Sequence, residues 1–225
     1  MTNITRRQVA LGIALAIPCA FPANAQNRSG GGAWGVPWTK IPSMTVLWRV
    51  DDSRVQLVRD AVEFWNRVFT EPGTPFRLGA VTYTAGALPV DQLRTLSENA
   101  VGGSGGVGLA ANIYQVPGDL VVALSDGDFI SFATRWPGSQ KALVGIKDFG
   151  FYPLTLPNVP RNVIAHELGH AIGLRHNSDP AMLMCGRPAP CRPDAFASPT
   201  ERYFPLTAEE QAMLRHMYPP DWQPR

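Results

Sequence analysis

His166-Glu167-Leu168-Gly169-His170-Ala171-Ile172-Gly173-Leu174-Arg175-His176 is the stretch on which the reading of this 225-residue chain turns. On a helix, His166 and His170 are four residues apart and project from one face, where two imidazoles can reach one zinc ion at about 2.0–2.1 Å. Glu167 is rotated away by one position, beside such an ion but free to act on its water. A helix continued to His176 would aim the third ring elsewhere, so the chain must turn. Gly173 allows this, because without a Cβ it tolerates the positive φ that ends a helix and bends the following residues back. Three neutral imidazoles with one open coordination position are what separate a catalytic zinc site from a closed structural one. Three of the four histidines fall on this pattern, and the composition makes a chance match roughly one in three hundred thousand. The fourth, His216, lies in an expected helix beside Arg215 and Met217 and is read as structural.

Upstream, Met44 to Val50 reads as a strand with Val46 and Trp48 on one face, and Ser53-x-x-Gln56 as a capping box opening a helix. Along that helix Val55, Val58, Val62, Trp65 and Phe69 form one apolar stripe, ended by Glu71-Pro72-Gly73. Phe76 to Thr82 is a second expected strand. Asp119 to Leu124 is a third, whose continuous apolar run suits burial on both faces. Ala142 to Lys147 is a further short strand. Strand, helix, strand opens a mixed α/β layer.

Ala85 to Gly118 is expected to be a flexible surface loop. Its Gly103, Gly105 and Gly108 satisfy G-x-G-x-x-G, but they follow the polar Arg94 to Asn99 instead of a strand, so nucleotide binding is not expected.

At the N-terminus, Thr5-Arg6-Arg7, a short apolar run from Val9 to Phe21 and Ala23-Asn24-Ala25 make an export signal, residues 1–25, with Gln26 as the mature start. A short buried helix is the alternative. The run is too short to span a bilayer as a mature helix. The paired arginines hint at the twin-arginine route, with the general secretory route as the other option. The chain carries 20 Lys+Arg against 18 Asp+Glu, and the signal holds Arg6 and Arg7 and no acid, leaving 18 against 18. A neutral chain with only Lys40, Lys141 and Lys147 as lysines does not suit binding to nucleic acid or anionic lipid. Cys19 lies within the signal, which leaves Cys185 and Cys191. Such a pair in an exported chain reads as a disulfide. Two free thiols are the alternative, and metal ligation lacks the Cys-x-x-Cys spacing of zinc sites.

The motif H-E-x-x-H-x-x-G-x-x-H is matched at every fixed position, and here the sequence resembles the metzincin clan of zinc endopeptidases. Met184 in Ala181-Met182-Leu183-Met184 stands where the matrixin branch places the methionine of a tight turn beneath the zinc, with Met182 the lesser choice. Pro37-Trp38-Thr39-Lys40 and Leu206-Thr207-Ala208-Glu209-Glu210, the latter with the capping box Thr207-x-x-Glu210, are also similar to matrixins. The resemblance implies a mixed α/β (α+β) zincin fold: a twisted, mainly parallel sheet with an antiparallel edge strand, an active-site helix and a C-terminal helix. It implies a lead-in over 26–36 and one catalytic domain over 37–220, with 85–118 as an insertion loop.

The implied activity is hydrolysis of internal peptide bonds, a zinc metalloendopeptidase of the EC 3.4.24 class. One zinc is held by His166, His170 and His176, with Glu167 as general base. The substrate would add as a strand to the sheet edge, for which Ala142 to Lys147 is the candidate. In matrixins the segment after the methionine turn walls the pocket for the residue following the cut, so a Cys185–Cys191 bridge would stiffen that wall. The chain departs from matrixins in offering only His216 for a second zinc, and in having no cysteine between Gln26 and Trp38 for a cysteine switch. Calcium is conceivable at Asp119, Asp126, Asp128 and Asp148, though no loop has the regular acidic spacing that would specify it. A monomeric protein outside the cytoplasm, in the periplasm or secreted, acting on proteins or peptides, is the expectation. An exported zinc-containing protein that binds peptides without cutting them is the alternative.

Overall fold

The computed structural model describes residues 35–102, 111–135, 140–187 and 189–225. The export signal, most of the lead-in and the Gly103-to-Gly108 motif lie outside the described residues. In chain order the elements are β1 (Met44–Trp48), α1 (Arg54–Thr70), β2 (Val81–Ala85), α2 (Val90–Gly102), α3 (Ala111–Gln115), β3 (Leu120–Leu124), β4 (Phe132–Arg135), β5 (Ala142–Ile146), α4 (Val159–Ala171), a 3-10 turn (Pro193–Phe196) and α5 (Ala208–Met217). The strands form one sheet in the order β2-β1-β3-β5-β4. Pairing is parallel except for β4, which runs antiparallel to β5 at the edge. The expected mixed α/β architecture, mainly parallel with an antiparallel edge strand, is the observed one. No helix among the described residues is long and apolar enough to cross a membrane.

Both faces of the sheet are covered. Leu120, Val122 and Leu124 point into a large apolar cluster with Val58, Trp65, Ile164 and Leu168 of α1 and α4. The alternate residues Val121 and Ala123 point the other way, to Leu93, Leu96 and Ile113 of α2 and α3. The stretch expected to be a surface loop therefore carries two helices that roof the second face of the sheet.

Three further expectations are corrected. Ala142 to Lys147 is not an edge: β5 lies between β3 and β4, with Leu143 buried on one face and Val144 and Ile146 on the other. The edge is β4. The second strand begins at Val81 instead of Phe76. Phe76 turns its ring into the core, stacked on Tyr218 at 3.9 Å, and the Leu78 backbone is bonded at both N–H and C=O by the Asn66 side chain, which takes the place of a strand partner. Ser53 is itself helical and its side chain caps nothing. Asp52 does the work, accepting from the Arg54 backbone N–H at 2.9 Å and pairing with the buried Arg54 guanidinium. The second capping box is present: Thr207 and Glu210 bond each other's backbone N–H reciprocally.

Candidate metal centre

Helix α4 is buried on every side, and its position is set by side chains that reach its backbone. The Trp65 indole N–H donates to the Ala165 carbonyl at 2.9 Å. At the far end, Trp38 Nε1 donates to Ala171 O at 3.0 Å, Tyr218 Oη to Ile172 O at 2.8 Å, and the Gly35 amide to Gly173 O at 2.9 Å. The carbonyls that a helix C-terminus leaves open are thus taken up by the lead-in and the chain's last turns. Gly173 has φ +113° and turns the chain out of the helix, as its place in the motif implies.

The turn brings His176 back to the helix. The three Nε2 atoms lie 3.0 Å (His166 to His170), 2.9 Å (His170 to His176) and 3.1 Å (His166 to His176) apart. Each ring is held from behind by a carbonyl oxygen. His166 Nδ1 donates to Leu183 O at 2.7 Å, His170 Nδ1 to Leu174 O at 2.9 Å and His176 Nδ1 to Arg187 O at 2.7 Å. A carbonyl can only accept, so each Nδ1 carries the hydrogen and each Nε2 is unprotonated.

Three lone pairs converging at 3 Å repel one another unless a cation lies between them. A triangle of that size has its corners about 1.7 Å from its centre, a spacing compatible with the zinc–imidazole distance of about 2.0–2.1 Å. The donor set therefore fits zinc. These histidines are the one group of three or more possible ligands that converges among the described residues. Burial, helped by the neighbouring His176, holds the His166 imidazole down to about 3, and burial likewise keeps His170 and His176 in the neutral form that ligates metal.

Glu167 is buried on the same helix. Burial pushes this carboxyl up to about 8. Met184 is fully buried beneath the helix, its sulfur pressed against Gly169, whereas Met182 is only half-buried. His216 is exposed on α5, outside the cluster. The four aspartates considered for calcium are dispersed. Asp119 pairs with Lys40, Asp126 with Arg49 and Arg54, and Asp128 with Lys147, while Asp148 accepts the Gly150 amide.

Cys185 and Cys191 form a disulfide with Cα atoms 5.8 Å apart, inside the usual span. Gly186, between Cys185 and the carbonyl of Arg187, lies so close to the His176 ring that a Cβ there would collide with it. Gly186 and the three carbonyls have no signature in the sequence; a glycine immediately after Met184-Cys185 was the one available hint.

No family model matches the chain, and no curated protein matches it. Among solved structures it is similar to archaemetzincin from Methanopyrus kandleri, at 18% identity and a TM-score of 0.45, over 78% of this chain and 93% of that one.

Proposed function

We propose that the chain is an exported, zinc-dependent endopeptidase of matrixin-like type. The observation that carries this reading is the convergence of three histidine Nε2 atoms, with the buried Glu167 on the same helix as two of them, on the residues of a motif matched at every fixed position. His166, His170 and His176 would hold the zinc, which would supply Lewis acidity toward water and a scissile carbonyl. Glu167 takes the proton of the attacking water and delivers it to the departing amine. A cation beside Glu167 favours its ionised form, as a general base requires.

The open edge of β4, with its free side away from β5, is where an extended substrate would pair. The disulfide suits an oxidising compartment, in line with the export signal. Its loop, following Met184, would wall the pocket for the residue after the cut and so bear on specificity.

The test is cleavage of casein by wild type and by Glu167→Ala, with zinc content measured on both. Wild type cuts and a chelator stops it; Glu167→Ala keeps one zinc per chain and cuts at least about a hundredfold more slowly. Cleavage by Glu167→Ala near the wild-type rate would sink the assignment. A wild type that retains zinc and binds peptides without cutting them would establish the non-proteolytic alternative.

A further inference from the structure

The three ligands are not held alike. His166 and His170 are buried on a helix anchored from both ends, whereas His176 is exposed and lies beyond the helix, in a segment without regular structure. A backbone strip lies against it. The Asn177 amide donates to Met184 O at 2.9 Å, the Gly186 amide donates back to Asn177 O at 3.2 Å, and His176 Nδ1 donates to Arg187 O at 2.7 Å. Asn177 and Cys185 form an isolated parallel bridge at the centre of this strip. Gly186 seats its backbone directly against the imidazole.

Cys185 and Cys191 bracket that strip. Both are buried, and their bond closes a loop that contains Gly186 and Arg187, whose backbones lie against the His176 ring. On the far side of the bond the chain enters the 3-10 turn, whose Phe196 lies 6.2 Å from the His166 ring, so the bond ties the strip to a segment packed on the helix.

We propose that the Cys185–Cys191 disulfide is a positioning element for the third metal ligand: it holds the Arg187 carbonyl and the Gly186 backbone where they fix the tautomer and direction of His176. Groups that orient a ligating histidine in this way commonly change metal affinity by 10- to 100-fold when removed. The short loop removes less unfolded-chain entropy than a long one would, so the bond's effect falls more on the site than on the fold. The inference rests on the reading of the three histidines as a metal site.

The test measures zinc dissociation constants for wild type and Cys185→Ser/Cys191→Ser by competition with a chromophoric chelator, together with the visible spectrum of the Co2+-loaded proteins and the melting temperature of the metal-free ones. The expected result is a zinc dissociation constant raised about 10- to 100-fold, with weakened Co2+ absorption as regular four-coordination is lost. An affinity within about twofold of wild type and an unchanged Co2+ spectrum overturn the proposal, whatever the melting temperature does. Should the double variant not fold, the folded wild type is reduced with a phosphine and then reoxidised; the same affinity loss, restored on reoxidation, is expected, and its absence is equally fatal. A wild type that binds no zinc removes the metal-site reading and this inference with it. A wild type that binds zinc tightly beside an equally tight variant removes this inference alone.

Discussion

Trp38 donates its indole N–H to the carbonyl of Ala171, so a residue ahead of β1 is bonded to the last residue of the helix that carries His166 and His170. Trp38 is fully buried, and the Arg135 guanidinium lies 4.1 Å over its ring while donating to Val36 O and Pro37 O. Trp38→Phe keeps most of the buried area and leaves the Ala171 carbonyl unpaired in the interior. The expected loss is about 1–3 kcal/mol, read from the denaturant midpoint. A change of only a few tenths would show that the bond contributes little.

Gly169 stands between the two helical ligands, and a Cβ there would meet the Met184 sulfur at 2.5 Å and a Trp65 ring carbon at 2.9 Å. Gly169→Ala should therefore cost about 1–3 kcal/mol through overpacking, although alanine is the better helix former. Zinc affinity is expected to fall with it, since the relief must come from the helix or from the turn beneath it. A stabilised Gly169→Ala protein would refute the close packing.

Glu210 joins two distant elements. One oxygen accepts the Thr207 amide at 2.8 Å, and the other accepts the Asn177 side-chain amide at 2.6 Å, next to His176. Thr207→Ala removes only the cap and should cost about 1 kcal/mol. Glu210→Ala also strands Asn177 and should cost about 1.5–3 kcal/mol. Thermal melts of the two variants, with zinc affinity alongside, separate the effects: both lose stability, and only Glu210→Ala weakens zinc.

Metal bound to the folded chain alone stabilises it by mass action. Free zinc at a hundredfold excess over its dissociation constant contributes about 2.7 kcal/mol. The melting temperature is expected to climb through a zinc-buffer series and to drop on chelation, with calcium unable to restore it. Insensitivity to zinc would contradict the fit of the three nitrogens to that ion.

The convergence of the three histidines was legible because geometry fixes their spacing: two imidazoles four residues apart share a helix face, and Gly173 stands where a positive φ is needed. What supports them was not legible, since the Leu174, Leu183 and Arg187 acceptors are backbone carbonyls and any residue could supply them. Local signals also misled where a neighbouring residue offered a better partner. Asp52 displaced Ser53 as the cap because its carboxylate could satisfy the Arg54 amide and guanidinium together. The Phe76 stretch has strand-like composition, yet its ring was claimed by the aromatic cluster of Phe69, Tyr218 and Trp222.

One misreading contained its own correction. The apolar run of β3 implies burial on both faces, which requires something to cover the second face, and the glycine-rich stretch that looks like a surface loop supplies that cover. Val90, Leu93, Leu96 and Ser97 already have helical spacing.

That cover makes the protein hard to shorten. Residues 86–117 resemble the kind of excursion a protein engineer would excise to reach a smaller chain, since none of the three converging histidines lies in them. Cutting them away would strip Leu47, Val121 and Leu143 of their roof and leave a water-facing apolar sheet, a surface that recruits other chains instead of folding alone. The trimmed chain should collect in the insoluble fraction, and its failure would say nothing about zinc or catalysis.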